Sequence, residues 1–169
     1  MSGKVQVSVI MGSDSDLETM RGAIGILKDF GISHEVKILS AHRSPAMTAA
    51  FAGKAEKKGV KIIIAGAGGA AHLAGVIASH TCLPVIGVPM DTKALKGLDS
   101  LLSTVQMPSG IPVATVSIGK TGAQNAGILA AQILSANNAG LRRKLKAHKK
   151  KLVKSVRLKN SRLNTSSRS

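Results

Sequence analysis

Residues 60–79 read VKIIIAGAGGAAHLAGVIAS. Val60–Ala65 is a β-branched run, apolar at successive positions from Ile62 onward instead of at alternating ones. Strands of that kind are covered on both faces and belong to parallel sheets. A Gly- and Ala-rich loop follows, and Ala71–Ser79 then takes up helical spacing, so the stretch reads as one strand–loop–helix unit.

The same unit recurs on both sides. Further strands are expected at Val5–Ile10, Glu35–Leu39, Pro84–Val88 and Pro112–Val116. Helices are expected over Leu17–Phe30, Ala46–Lys58, Gly97–Val105 and Ala123–Leu134. Five such units predict an α/β fold, a three-layer doubly wound parallel five-stranded sheet. Right-handed crossovers leave a flavodoxin-like or half-Rossmann strand order, and pattern alone does not choose between them. The working expectation is flavodoxin-like, with one α/β domain over residues 1–135.

Composition narrows the class. With 169 residues the chain suits one domain with a substantial core. Phe30 and Phe51 are its only aromatic residues, so that core is built from Ala, Val, Ile, Leu and Met. Cys82 stands alone, which rules out an internal disulfide. No apolar run approaches the ~20 residues of a membrane span, and no leader pattern opens the chain. These features predict a soluble, cytoplasmic protein without membrane contact.

The net charge of +16 suggests nucleic acid until it is divided by position. Residues 1–119 hold 11 Lys/Arg against 8 Asp/Glu, or +3, whereas residues 120–169 hold 13 Lys/Arg and no acid, or +13. The excess belongs to one end. There Leu141, Leu145, Leu152, Val153 and Val156 keep a weak helical stripe in a basic background. A basic helix over 136–158 is expected, packing on the domain or on a neighbouring subunit, with 159–169 as a disordered tail.

In an open parallel sheet, ligands bind beyond the carboxyl ends of the strands. The first expected strand ends in Met11-Gly12-Ser13-Asp14-Ser15-Asp16. Ser and Asp there can cap the next helix, or its free N–H groups and the Ser hydroxyls can hold a phosphate, and both readings stay open. The second ends in Ser40-Ala41-His42-Arg43-Ser44-Pro45, with Ser44 expected as helix cap and Pro45 in the first turn. A histidine can exchange a proton near neutral pH, and an adjacent arginine can grip phosphate or carboxylate, so a functional pair is favoured over a surface one. Gly66-x-Gly68-x-x-Ala71 matches a loose dinucleotide fingerprint with Asp91 as acid. It follows the third strand instead of the first, which makes the match weak. The favoured reading is that these glycines let a small ligand rest on bare backbone, with His72 opening the helix or serving as a structural residue.

Five motifs in order resemble the N5-carboxyaminoimidazole ribonucleotide mutase (PurE, class I) family of purine biosynthesis. They are residues 11–16, 40–45 and 65–73, Gly97-Leu98-Asp99-Ser100-Leu101-Leu102-Ser103, and Val105-Gln106-Met107-Pro108. The resemblance runs from about Val5 to Leu134. It implies isomerisation of N5-carboxyaminoimidazole ribonucleotide to its 4-carboxy isomer, with no metal and no cofactor. It assigns His42 as general acid/base, Asp16 to ribose, and Ser15, Ser40 and Arg43 to phosphate, with Ser13 also binding substrate. Gly68, Gly69, Ala70, His72, Leu73 and Met107 would surround the base and the migrating carboxylate. It further implies a homo-octamer joined partly by the C-terminal helix. Leu17 and Ala74 stand where the family usually has Trp and Pro, which predicts altered packing beside the site. The direct carboxylase of the same superfamily is the nearest alternative, and the run Gly68–Leu73 favours the mutase. Non-specific nucleic-acid contact by the basic end is a further alternative at low salt. Without aromatic platforms or a reading motif, a solvated tail is the favoured account.

Overall fold

The computed structural model describes residues 4–166. Its strands are β1 (Val7–Met11), β2 (His34–Ile38), β3 (Ile62–Ala67), β4 (Val85–Pro89) and β5 (Ala114–Thr115). Its α-helices are α1 (Leu17–Phe30), α2 (Pro45–Ala55), α3 (Leu73–Ser79), α4 (Leu98–Val105), α5 (Gly119–Ser135) and α6 (Ala139–Ser166). All strand pairs are parallel, in the order β2-β1-β3-β4-β5. This is the flavodoxin-like order, and it resolves the choice that sequence pattern leaves open.

Burial follows strand position. Every residue of β1 and β4 is buried, as are the first five residues of β3; the sequences of β3 and β4 are correspondingly apolar throughout, and β1 departs from that only at Ser8. Edge strand β2 alternates, leaving Val36 and Ile38 exposed. Where β2 meets β1, the fully buried Ser8 donates a 2.8 Å hydrogen bond to Glu35, which also pairs with Lys37 at 2.7 Å. Burial alone would raise the Glu35 carboxyl, but the bonds from Lys37 and Ser8 and the charge of Lys37 take it below its ordinary value.

Helices cover both faces of the sheet. Phe51, Ala52 and Ala55 of α2 and Leu73, Ala74 and Ile77 of α3 pack with Ile10, Ile63 and Ala65 in one buried cluster. From the other face, α1 sends Met20 against Gly66. A Cβ at Gly66 would lie 2.6 Å from the Met20 sulfur and 2.5 Å from Met90 Cε, so both methionine ends would have to shift to admit one. Helix α5 runs beside α1, where a Cβ on Gly22 would stand 3.2 Å from Ala123 Cβ.

The chain divides into two compact units, Met1–Ala130 and Ala131–Ser169. In the second, Asn138 Oδ1 accepts the Leu141 N–H at 2.9 Å and caps α6. Arg142 donates to the Ser135 and Ala136 carbonyls at 3.0 and 2.7 Å, satisfying groups that the end of α5 leaves free. Leu152, Val153, Val156, Leu158 and Leu163 are exposed along α6. The expected helix end at residue 158 is corrected, because α6 continues to Ser166. Asn and Ser lower helix propensity by only a few tenths of a kcal/mol each, too little to stop a helix already under way. Of the tail expected to be disordered, residues 159–166 are therefore helical, and 167–169 lie outside the described residues.

Candidate active site

β1 and β3 are neighbours, yet the chain leaves β1 towards β2 and then returns across β1 to β3. That divergence opens a crevice at the carboxyl edge. A cavity of about 470 Å³ lies there, lined from the β1 loop by Gly12, Ser13, Ser15 and Asp16. The β2 loop adds Ser40, Ala41, His42 and Arg43, and the β3 loop adds Ala67, Gly68, Ala70, His72 and Leu73. Met90, Asp91 and Thr92 close it from the β4 loop.

The β2 loop is tied at both ends. Ser44 is the N-terminal boundary residue of α2, but its hydroxyl does not cap that helix as expected. It donates to the Ser40 carbonyl at 3.1 Å and accepts the Ser40 N–H at 3.0 Å. Thr48 donates to the same carbonyl at 3.1 Å, and Ser40 Oγ accepts the Arg43 N–H at 3.0 Å. The closed turn projects His42 and Arg43 outward. Pro45 occupies the first turn of α2, where no N–H is needed.

Two contacts join the loops. The Arg43 guanidinium donates to the Gly12 carbonyl at 2.7 Å, bringing its charge over the β1 loop. His42 Nε2 lies 2.9 Å from His72 Nδ1, with the rings edge to face at 78° and 5.0 Å between centroids. One of those nitrogens donates to the other, according to tautomer. In the β1 loop, Ser13 accepts the Ser15 N–H at 3.4 Å and donates to Asp14 at 3.0 Å. Residues 14–16 form a 3-10 turn capped by Ser13, so the capping reading holds for Ser13 while the same residue faces the cavity. Burial pushes the Asp16 carboxyl above its ordinary value; hydrogen bonds from Ser13 and Ser15 and the charge of Arg43 only partly oppose this.

Ten of the twelve residues predicted from sequence line the cavity: Ser13, Ser15, Asp16, Ser40, His42, Arg43, Gly68, Ala70, His72 and Leu73. Gly69 belongs to the same loop but is not part of the lining. Met107 is also absent from it, and its sulfur lies 3.0 Å from where a Gly75 Cβ would stand in α3. Thr92 and Asp91 were not predicted as site residues, although Asp91 is visible in sequence as an acid just beyond β4. Leu17 is half-buried at the start of α1, and Ala74 is buried in the first turn of α3, a position that also accepts proline. Among the described residues, no three His, Cys, Asp or Glu side chains gather as a metal site, and no helix is long and apolar enough to cross a membrane.

A family profile described as AIR carboxylase matches residues 6–155, a span that contains the whole cavity lining. The chain belongs to the AIR carboxylase family. It is 60% identical over 139 residues to a Bacillus subtilis (strain 168) protein named N5-carboxyaminoimidazole ribonucleotide mutase, covering 82% of this chain and 86% of that one. A Pyrococcus horikoshii protein of the same name is 55% identical over 162 residues, with coverage of 96% and 90%. That match extends over most of α6 as well. Among solved structures, Treponema denticola PurE superposes with a TM-score of 0.84 at 27% identity, covering 94% of this chain and 98% of the other. Membership of the family and the flavodoxin-like architecture thus agree with the resemblance carried by the five motifs.

Proposed function

We propose that this chain is an N5-carboxyaminoimidazole ribonucleotide mutase of purine biosynthesis. It converts its substrate to 4-carboxyaminoimidazole ribonucleotide by decarboxylation and recarboxylation, with His42 as general acid and base. The observation that carries this reading is the convergence of Ser13, Asp16, His42 and Arg43 on one cavity. It stands in a chain 60% identical to a protein named for that reaction.

Arg43, anchored to the Gly12 carbonyl, sets a fixed positive charge for the substrate phosphate. Ser40 already accepts the Arg43 N–H, which leaves its own hydroxyl proton to give to a phosphate oxygen. Ser15 adds a second hydroxyl, and Asp16 takes the ribose. The bond from nitrogen to the migrating carboxylate breaks with its electron pair on nitrogen, and protonated His42 delivers a proton there. The ring carbon then attacks the released carbon dioxide, and neutral His42 removes the proton from that carbon. One proton is given and one recovered, so the residue ends each cycle as it began. Acid–base catalysis of this kind contributes roughly 10²–10⁴-fold. Ala41, Ala67, Leu73 and Met90 place apolar surface beside these polar groups.

The reading includes a cytoplasmic homo-octamer. Leu98, Leu102 and Val105 form an exposed apolar row at helical spacing on α4, with Leu95 exposed just before it, which suits burial against another copy. The exposed stripe of α6 suits the same use. Incubation of the protein with freshly made N5-carboxyaminoimidazole ribonucleotide, without bicarbonate, tests the activity. The 4-carboxy isomer is expected to form faster than the substrate breaks down spontaneously. Formation only from aminoimidazole ribonucleotide with added carbon dioxide would assign the carboxylase reaction instead.

A further inference from the structure

Residues 97–103 carry one of the five motifs, yet none of their side chains lines the cavity. They reach it through Gly69. Ser100 in α4 is fully buried, and its hydroxyl oxygen accepts the Gly69 N–H at 2.9 Å, across 31 residues of sequence. Ser103 donates to the Asp99 carbonyl at 2.7 Å and lies 3.3 Å from the Gly69 carbonyl, so its proton favours the former. Both polar ends of Gly69 thus face one side of α4.

Gly69 has φ 64°, in the left-handed region that favours glycine. Beyond it, the Ala71 and His72 N–H groups turn back to the Gly69 and Ala70 carbonyls, each at 2.8 Å. This tight turn delivers His72 to the start of α3, 2.9 Å from His42. The α4 end of the linkage is itself fixed. Thr92 donates to Asp99 Oδ1 at 2.7 Å and accepts the Gly97 N–H at 3.0 Å.

A serine buried in a helix commonly bonds back to its own preceding turn, as Ser103 does. Ser100 instead spends its oxygen on a loop amide that would otherwise lose its partner. We infer that Ser100 is a positioning residue for the His42–His72 pair, with Ser103 in support. By holding the Gly69 turn it sets where His72 meets His42, and so where His42 stands over the reacting nitrogen and carbon. The inference rests on the acid/base reading of His42. A displaced imidazole delays recarboxylation, and the intermediate then escapes as free aminoimidazole ribonucleotide and carbon dioxide.

Ser100→Ala and Ser103→Ala test this in the full-length protein. Ser100→Ala should lower kcat about tenfold with KM within about twofold, since small misplacements of reacting groups cost rate more than binding. A larger share of consumed substrate should appear as free aminoimidazole ribonucleotide. The nuclear Overhauser cross-peak between the two imidazole rings should weaken. Ser103→Ala should shift all three readouts the same way by about two- to threefold, in keeping with its longer contact. A lower melting temperature with native kcat, product share and cross-peak would overturn the inference and leave Ser100 a purely structural residue. If Ser100→Ala fails to fold, Ser103→Ala decides, and native values in it overturn the inference. If the unaltered protein shows no turnover, the acid/base reading falls, and the ring cross-peak alone decides whether Ser100 positions the pair.

Discussion

The sheet has a groove at each edge, and the larger one carries less chemistry. At the amino edge, about 860 Å³ is lined mainly by apolar and backbone surface such as Ala52, Leu83, Pro84, Ile111 and Pro112. Glu56 also lines it, as do His80 and Cys82 from the loop before β4. At the carboxyl edge, about 470 Å³ collects two histidines in contact, an arginine anchored across two loops and a partly desolvated aspartate. Volume does not make a site. The carboxyl edge gathers its groups because parallel crossovers bring the loops after β1, β2, β3 and β4 to one side, and the strand-order reversal between β1 and β3 leaves room among them.

Substitutions at the two edges should separate them sharply. His42→Asn has the largest expected effect, a fall in turnover of roughly 10²–10⁴-fold with ligand affinity retained, measured by product formation and calorimetric titration. Near-native turnover would remove His42 from its role. Arg43→Ala should lower kcat/KM by roughly 10–100-fold through loss of a charge-assisted grip, and Arg43→Lys should recover only part of it.

Asp16→Asn should act in opposite directions on binding and stability. Because the folded state raises this carboxyl, its ionised form is less favourable folded than unfolded. Its penalty appears as pH rises from the unfolded pKa through the raised folded value, and it is complete above that value. The variant should therefore melt slightly higher than the native protein at pH 7 and lose that advantage in acid, while KM rises. A lower melting temperature at pH 7 would contradict the assigned cause. At the other edge, Cys82→Ser and His80→Gln should leave kcat and KM within about twofold, the range expected for surface changes remote from the chemistry. A tenfold loss from either would mean that the amino-edge groove takes part.

Much of this was legible because local and global demands coincide. Helix α1 begins and ends where periodicity puts it, at Leu17 and Phe30, with Gly31 closing it in the left-handed conformation. β3 and β4 announce themselves as apolar runs because both faces are covered, while β1 carries the buried Ser8 within its run. β5 shrinks from the expected Pro112–Val116 to Ala114–Thr115, since it pairs only with β4 and Pro112 has no N–H to give a ladder. Strand order was not legible, because it depends on which helix packs on which face and not on any one segment. The cavity residues His42 and Arg43 stood out by type and position. Thr92 did not, because its part is visible only once Asp99 and Gly97 are seen beside it. Met107 was carried by resemblance alone, and its side chain lies against Gly75 of α3.

The central claim is that the carboxylate moves within the one cavity at the carboxyl edge. The most direct test supplies substrate labelled with carbon-13 in the migrating carboxylate, in a large excess of unlabelled bicarbonate, and measures the label in the 4-carboxy product. Retention of most of the label is predicted. A product carrying carbon from the medium would contradict the account and point to carboxylation by free carbon dioxide.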